Sequence, residues 1–143
     1  MGQSFLFYPY HIYMLKIILK YSLTLSLIWT IIIFVLCCTP GQYIPTTNWL
    51  ELLSFDKFVH ASIFFTLVVL WLIYLYSSNK LIASTKAIVI LLCIGYGGIL
   101  EIMQATIFSH RSGDWLDFIA NSVGCLLGWW LFTKNKDRLK PVS

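Results

Sequence analysis

Four long apolar stretches run along this chain, separated by short polar breaks. Tyr21 to Cys38 carries no charge. Phe58 to Tyr76 has His60 as its one residue titrating near neutral pH. Ala87 to about Phe108 is apolar until Glu101 and Gln104 interrupt it, and Trp115 to Thr133 has Asp117 near its start. A helix that crosses a bilayer needs about 20 mostly apolar residues, and each stretch comes close to that length. The breaks carry turn chemistry: Thr39-Pro40-Gly41 with Pro45, then Ser77-Ser78-Asn79-Lys80, then Ser109 to Gly113. The pattern predicts an all-α polytopic membrane protein, a bundle of four transmembrane helices.

Composition sharpens this reading. Of 143 residues, 59% are hydrophobic and only 11% charged, where soluble domains carry about 25% charged residues. Mean hydropathy is +0.80. The chain reads as one small bundle: a cytoplasmic or interfacial segment over 1–20, a membrane domain over 21–133 and a basic cytoplasmic tail over 134–143. Met14-Leu15-Lys16 offers an alternative start to Met1. The first span lacks a small-x-small cleavage site and exceeds a typical signal-peptide core, so it is expected to be retained.

The net charge of +4 does not point to nucleic acid, because the bases are dealt out in small groups beside apolar spans. Their placement is a topology signal instead. With four spans, Lys16, Lys20, Lys80, Lys86, Lys134, Lys136, Arg138 and Lys140 share one side, expected to be the cytoplasm. Both termini are then cytoplasmic. Only Lys57 and Arg111 fall on the outer side. The four cysteines (Cys37, Cys38, Cys93 and Cys125) show no zinc-type spacing and read as packing thiols.

Nine polar residues break the apolar background near the expected outer face. They are Asp56-Lys57-x-x-His60, then Glu101-x-x-Gln104, then Arg111-x-x-Asp114-x-x-Asp117-x-x-x-Asn121. At about 1.5 Å per helical residue, Glu101 lies roughly 21 Å along its span from Ala87, and roughly 9 Å below the outer boundary of a 30 Å core. His60 and Asn121 reach a similar depth on two other spans. Asp56 and His60 share a helix face. Asp117, Asn121, Gly124 and Gly128 form one stripe, and Gly124-x-x-x-Gly128 is a small-xxx-small pattern that permits close helix packing. Gly95, Gly97 and Gly98 are candidates for the same role on the third span.

Each residue also has a plainer role. Asp56 and Asp114 suit helix caps, Gln104 and Asn121 suit interhelical hydrogen bonds, and Arg111 can snorkel to the interface. Charge in hydrocarbon is costly, however, and a shared shallow depth points to a site.

The ordered set from Asp56 to Gly128 resembles the VanZ-like family of small bacterial membrane proteins. The resemblance runs from about Leu27 to Phe132, and the spacing from Arg111 to Gly128 is its most specific part. The family takes its name from a protein linked to low-level resistance to the glycopeptide teicoplanin. The resemblance implies a multi-pass protein of the bacterial cytoplasmic membrane. It specifies no reaction.

The residues themselves suggest an outer-face site that binds or modifies a lipid-linked or anionic envelope substrate. Asp56, His60, Glu101 and Asp117 are the candidate catalytic set, with His60 and Glu101 as proton carriers. Lys57, Gln104, Arg111, Asp114 and Asn121 are the candidate substrate-binding set, with Arg111 suited to bidentate anion recognition. A carboxylate–histidine–carboxylate set suits a divalent metal, but no close HxxxH or ExxH pair supports it, so no metal ligand and no cofactor are assigned. The alternatives are a non-catalytic interaction or scaffold protein and a small oligomeric proton-linked transporter or lipid flippase. The partners expected are the lipid bilayer, the envelope substrate and a second copy of the chain.

Overall fold

The computed structural model describes residues 7–39, 55–107 and 113–139. Among them are five α-helices and no strand: α1 Phe7–Lys20, α2 Ser22–Cys38, α3 Phe55–Ser77, α4 Ala83–Thr106 and α5 Trp115–Asn135. A 3-10 turn, Lys136–Leu139, closes the described chain. The all-helical expectation holds. Three helical segments, Phe55–Ser77, Ala83–Thr106 and Trp115–Leu139, are each long and apolar enough to cross a membrane. A fourth crossing requires the bent pair Tyr13–Lys20 and Ser22–Cys38 to act as one span.

That bend is 66° and lies at Tyr21. The sequence pattern starts the first span there, whereas the helix continues upstream of it. Tyr21 sits at φ −101°, ψ 14°, outside the α region, and the axis turns at this residue. Ser22 stabilises the corner by donating its hydroxyl to the Leu19 carbonyl at 2.8 Å. Its oxygen also lies 2.9 Å from that of Ser77 on α3, which ties the corner to the bundle.

Helix α2 packs on α3 through a stripe of small polar residues one turn apart. Ser26 is fully buried and bonds back to the Ser22 carbonyl, and Thr30 bonds back to that of Ser26. Back-bonding of this kind satisfies hydroxyls without a partner helix and leaves a thin face for close approach. Trp29 then reaches across to the Ile63 carbonyl at 3.1 Å, and Tyr96 of α4 donates to the Thr30 carbonyl at 2.9 Å.

The α3–α4 connection ends in a Schellman-type cap. Lys80 N–H returns to the Leu75 carbonyl at 2.8 Å and Asn79 N–H to that of Tyr76 at 3.1 Å. Asn79 takes the left-handed conformation, φ 55°, which asparagine tolerates well. Around this turn Lys20, Ser77, Asn79, Lys136 and Asp137 line one cleft. The ends of α1, α3 and α5 and the start of α4 therefore meet at the same end of the bundle.

The most extensive packing is between α3 and α5. It rests on two glycines. A Cβ at Gly124 would fall on the Ala61 carbonyl group, and one at Gly128 would lie 2.8 Å from the Phe65 carbonyl oxygen. Phe64, Leu67, Val68 and Leu72 of α3 are buried beside them, with Leu100, Cys125 and Ile33 from three other helices. On α4, a Cβ at Gly97 would lie 3.1 Å from the Phe64 ring and 3.3 Å from the Asn121 Cβ, while one at Gly95 would meet open space. Of these two glycines, only Gly97 serves helix packing.

Candidate functional site

The backbone contact at Ala61 and Gly124 sets the depth at which α3 and α5 exchange polar side chains. One turn toward the Asp56 end, His60 Nδ1 stands 3.2 Å from the amide oxygen of Asn121. Asn121 is 1% exposed. Its Cβ faces Gly97, where an added methyl would lie 3.3 Å away. One turn further out, Lys57 extends from α3 to the start of α5. Its ammonium lies 2.6 Å from Asp114 Oδ2 and makes a second ion pair with Asp117 Oδ1. It is also 3.5 Å from Asp56 Oδ2. One cation thus bridges carboxylates from both helices.

His60 presents its other nitrogen to the same group. Nε2 stands 3.8 Å from Asp56 Oδ1 and 3.7 Å from Asp117 Oδ2. His60 and Asp117 are largely buried, with side chains 17% and 13% exposed, and Asp56 is at the open rim. Donor atoms of Asp56, His60 and Asp117 all lie within 4.8 Å of one another, a grouping able to hold a metal ion. The sequence reading assigned none.

Asp114 has two tasks. Its Oδ1 accepts the Leu116 N–H at 2.9 Å, capping α5, while Oδ2 meets Lys57. Its own N–H donates to Glu101 Oε2 at 3.2 Å. Glu101, buried on α4, therefore grips the backbone that enters α5. The Lys57 ammonium, and then the Leu116 N–H, hold the Asp114 carboxyl below its ordinary value.

The sign of the resulting pH effect follows. A depressed carboxyl contributes stability that is complete above its unfolded value of about 3.9 and is lost as pH falls through the lower folded value. Asp114→Asn removes that contribution. Its unfolding temperature is expected to change less than that of the native chain between about pH 4 and pH 3, measured by thermal unfolding in nanodiscs. A steeper acid loss in the variant contradicts the assignment.

Two candidate residues remain. Gln104 is buried and turns toward α2, where its amide donates to the Cys37 carbonyl at 3.4 Å. Arg111 lies outside the described residues. Conversely, Gly113 is a positioning residue that the sequence reading passed over. A Cβ there would lie 2.6 Å from the Glu101 carbonyl oxygen and 2.9 Å from the Ala105 Cβ. Only glycine lets residue 113 lie against α4, and its place directly before the capping Asp114 was the available signal.

The VanZ/LLP1 family model matches residues 5–136. The chain belongs to this family. No curated protein and no solved structure matches it. The match takes in all five helices and the whole polar group, so this VanZ/LLP1 chain is a membrane protein with several apolar helices. It also begins upstream of Tyr21, and therefore includes the bent α1.

Proposed function

We propose that this VanZ/LLP1 protein crosses the bacterial cytoplasmic membrane four times. The bent pair α1–α2 supplies the first crossing, and both termini face the cytoplasm. The meeting of Lys20, Asn79 and Lys136 around one cleft supports a shared cytoplasmic end for the basic residues. The Asp56 end then faces outward, and there the protein binds or modifies a lipid-linked or anionic envelope substrate. An effect on glycopeptide susceptibility would be a consequence of that action.

The observation that carries the reading is the convergence of Lys57, His60, Glu101, Asp114, Asp117 and Asn121 from three helices at one end of the bundle. In this reading His60 and Glu101 move protons, and Asn121 and Asp117 orient His60. Below the group Phe64, Leu67, Val68 and Leu72 are buried and apolar, with no charged side chain among them. That favours a one-sided pocket over a transport path.

The test is mass spectrometry of envelope lipids and lipid-linked glycans. The strains are a deletion, the deletion carrying the native gene, and the deletion carrying Glu101→Gln at matched membrane level. A defined species is expected to change on deletion and to return only with the native gene. If Glu101→Gln restores it fully, the group takes no part in its turnover.

A second reading, a non-catalytic interaction protein, is favoured by one observation. Lys57 is engaged by the chain's own carboxylates, as a structural clamp would be. In that case Glu101→Gln leaves the lipid profile untouched while disturbing the α4–α5 junction.

A further inference from the structure

We propose that Asp56, His60 and Asp117 form a binding site for one divalent transition metal ion, with Zn2+ the fitting ion. This builds on the reading of the polar group as a site and supplies what that reading lacks.

The spacing of the donors is the first argument. His60 Nε2 stands 3.8 Å from Asp56 Oδ1 and 3.7 Å from Asp117 Oδ2. These gaps are too long for hydrogen bonds. Ligands that share a metal at about 2.0–2.2 Å stand roughly 3–4 Å apart, so both separations suit donors around one metal ion. Asp56 is on the rim, with its side chain 62% exposed, and can turn to close the third separation.

Orientation is the second argument. Metal-binding histidines commonly fix their second nitrogen by a hydrogen bond to a neighbouring oxygen. Asn121 provides that oxygen at 3.2 Å from Nδ1, and it is buried. With Nδ1 donating, Nε2 presents its lone pair toward the two carboxylate oxygens, where a divalent ion can sit.

Charge is the third argument. Three carboxylates, Asp56, Asp114 and Asp117, surround the one ammonium of Lys57. Among the described residues the local charge is therefore negative. A divalent ion offsets that charge and can itself accept a phosphate or carboxylate oxygen. The mixed nitrogen and oxygen donor set suits zinc, and three protein ligands leave a position open.

The experiment is isothermal titration of Zn2+ into the full chain, stripped with chelator and held in nanodiscs of neutral lipid. One ion per chain is expected, with a Kd at or below the micromolar range. His60→Gln and Asp117→Asn should each weaken binding at least a hundredfold. Asn121→Ala should weaken it about 10- to 100-fold. Asp56→Asn, at the exposed rim, is the variant that keeps the fold, and should cost tenfold or more. Absence of binding to the native chain overturns the inference, as does unchanged binding in Asp56→Asn and His60→Gln. The lipid analysis is independent. A Glu101-dependent lipid change without zinc binding overturns the metal site alone. Zinc binding without any lipid change supports the site and overturns the substrate reading.

Discussion

Gly124→Ala is expected to destabilise the bundle by on the order of 2–3 kcal/mol, while Gly95→Ala, the same addition of one methyl, should be neutral or slightly stabilising. The two positions differ only in what the methyl meets. At Gly124 it falls on the Ala61 carbonyl, with the Ala61 carbonyl carbon 2.8 Å away, whereas at Gly95 nothing lies within 4 Å. Backbone cannot rotate aside as a side chain can, so α3 and α5 must separate along their most extensive contact. Replacing Gly95 instead brings only the helix-propensity difference, about 0.8–1 kcal/mol in favour of alanine. Thermal unfolding of both variants in one detergent decides the matter. Equal midpoints would mean that the α3–α5 approach is looser than the contact at Ala61 implies. Separation of the two helices also moves Asn121 off His60, so loss of stability and disturbance of the polar group should appear together.

The contrast between these glycines also marks how far the sequence could be read. Helical periodicity places Asp117, Asn121, Gly124 and Gly128 on one stripe, and in the structure Gly124 and Gly128 lie against α3 while Asn121 meets His60. It also puts Asp56 and His60 on one face, and they stand 3.8 Å apart. Those relations are internal to one helix and follow from 3.6 residues per turn. What one helix presents to another depends on rotation and offset, which periodicity does not contain. Hence Gly95 and Gly97 looked alike in sequence, and Lys57 looked available for an anion although carboxylates from α5 surround it. Gln104, three residues beyond Glu101, donates to the Cys37 carbonyl of α2. The Ser22-Ser26-Thr30 stripe was hidden for another reason: the hydroxyls of Ser26 and Thr30 are satisfied within their own helix, so small polar residues pass in an apolar run without a charge signal. The bend at Tyr21 is likewise a tertiary feature, held by Ser22 against Ser77.

Lys57→Met is expected to destabilise the protein by about 2–4 kcal/mol, because removing the ammonium leaves the Asp117 carboxylate, the more buried of its partners, uncompensated. The loss falls below that of a fully buried pair because the Lys57 side chain is 30% exposed and that of Asp114 37%. Asp117 is the more costly orphan, at 13% exposure, and Asp56 and His60 offer it no positive charge without a further ion or proton. The neutralising double variant, Lys57→Met with Asp117→Asn, should therefore recover about half of the loss, measured as the unfolding midpoint in denaturant or heat. Full stability in Lys57→Met alone would show that the lysine is solvated and not a clamp. The same pair of variants bears on chemistry. If Lys57 acts mainly to hold Asp114 and Asp117 in place, the double variant regains stability but not zinc, since Asp117 is a ligand. A lysine acting mainly on an anionic substrate gives another pattern: Lys57→Arg keeps the fold and the ion, and changes only how the lipid profile responds. Stability, metal affinity and lipid composition then separate three roles that one ammonium group, set among three carboxylates, is physically able to combine.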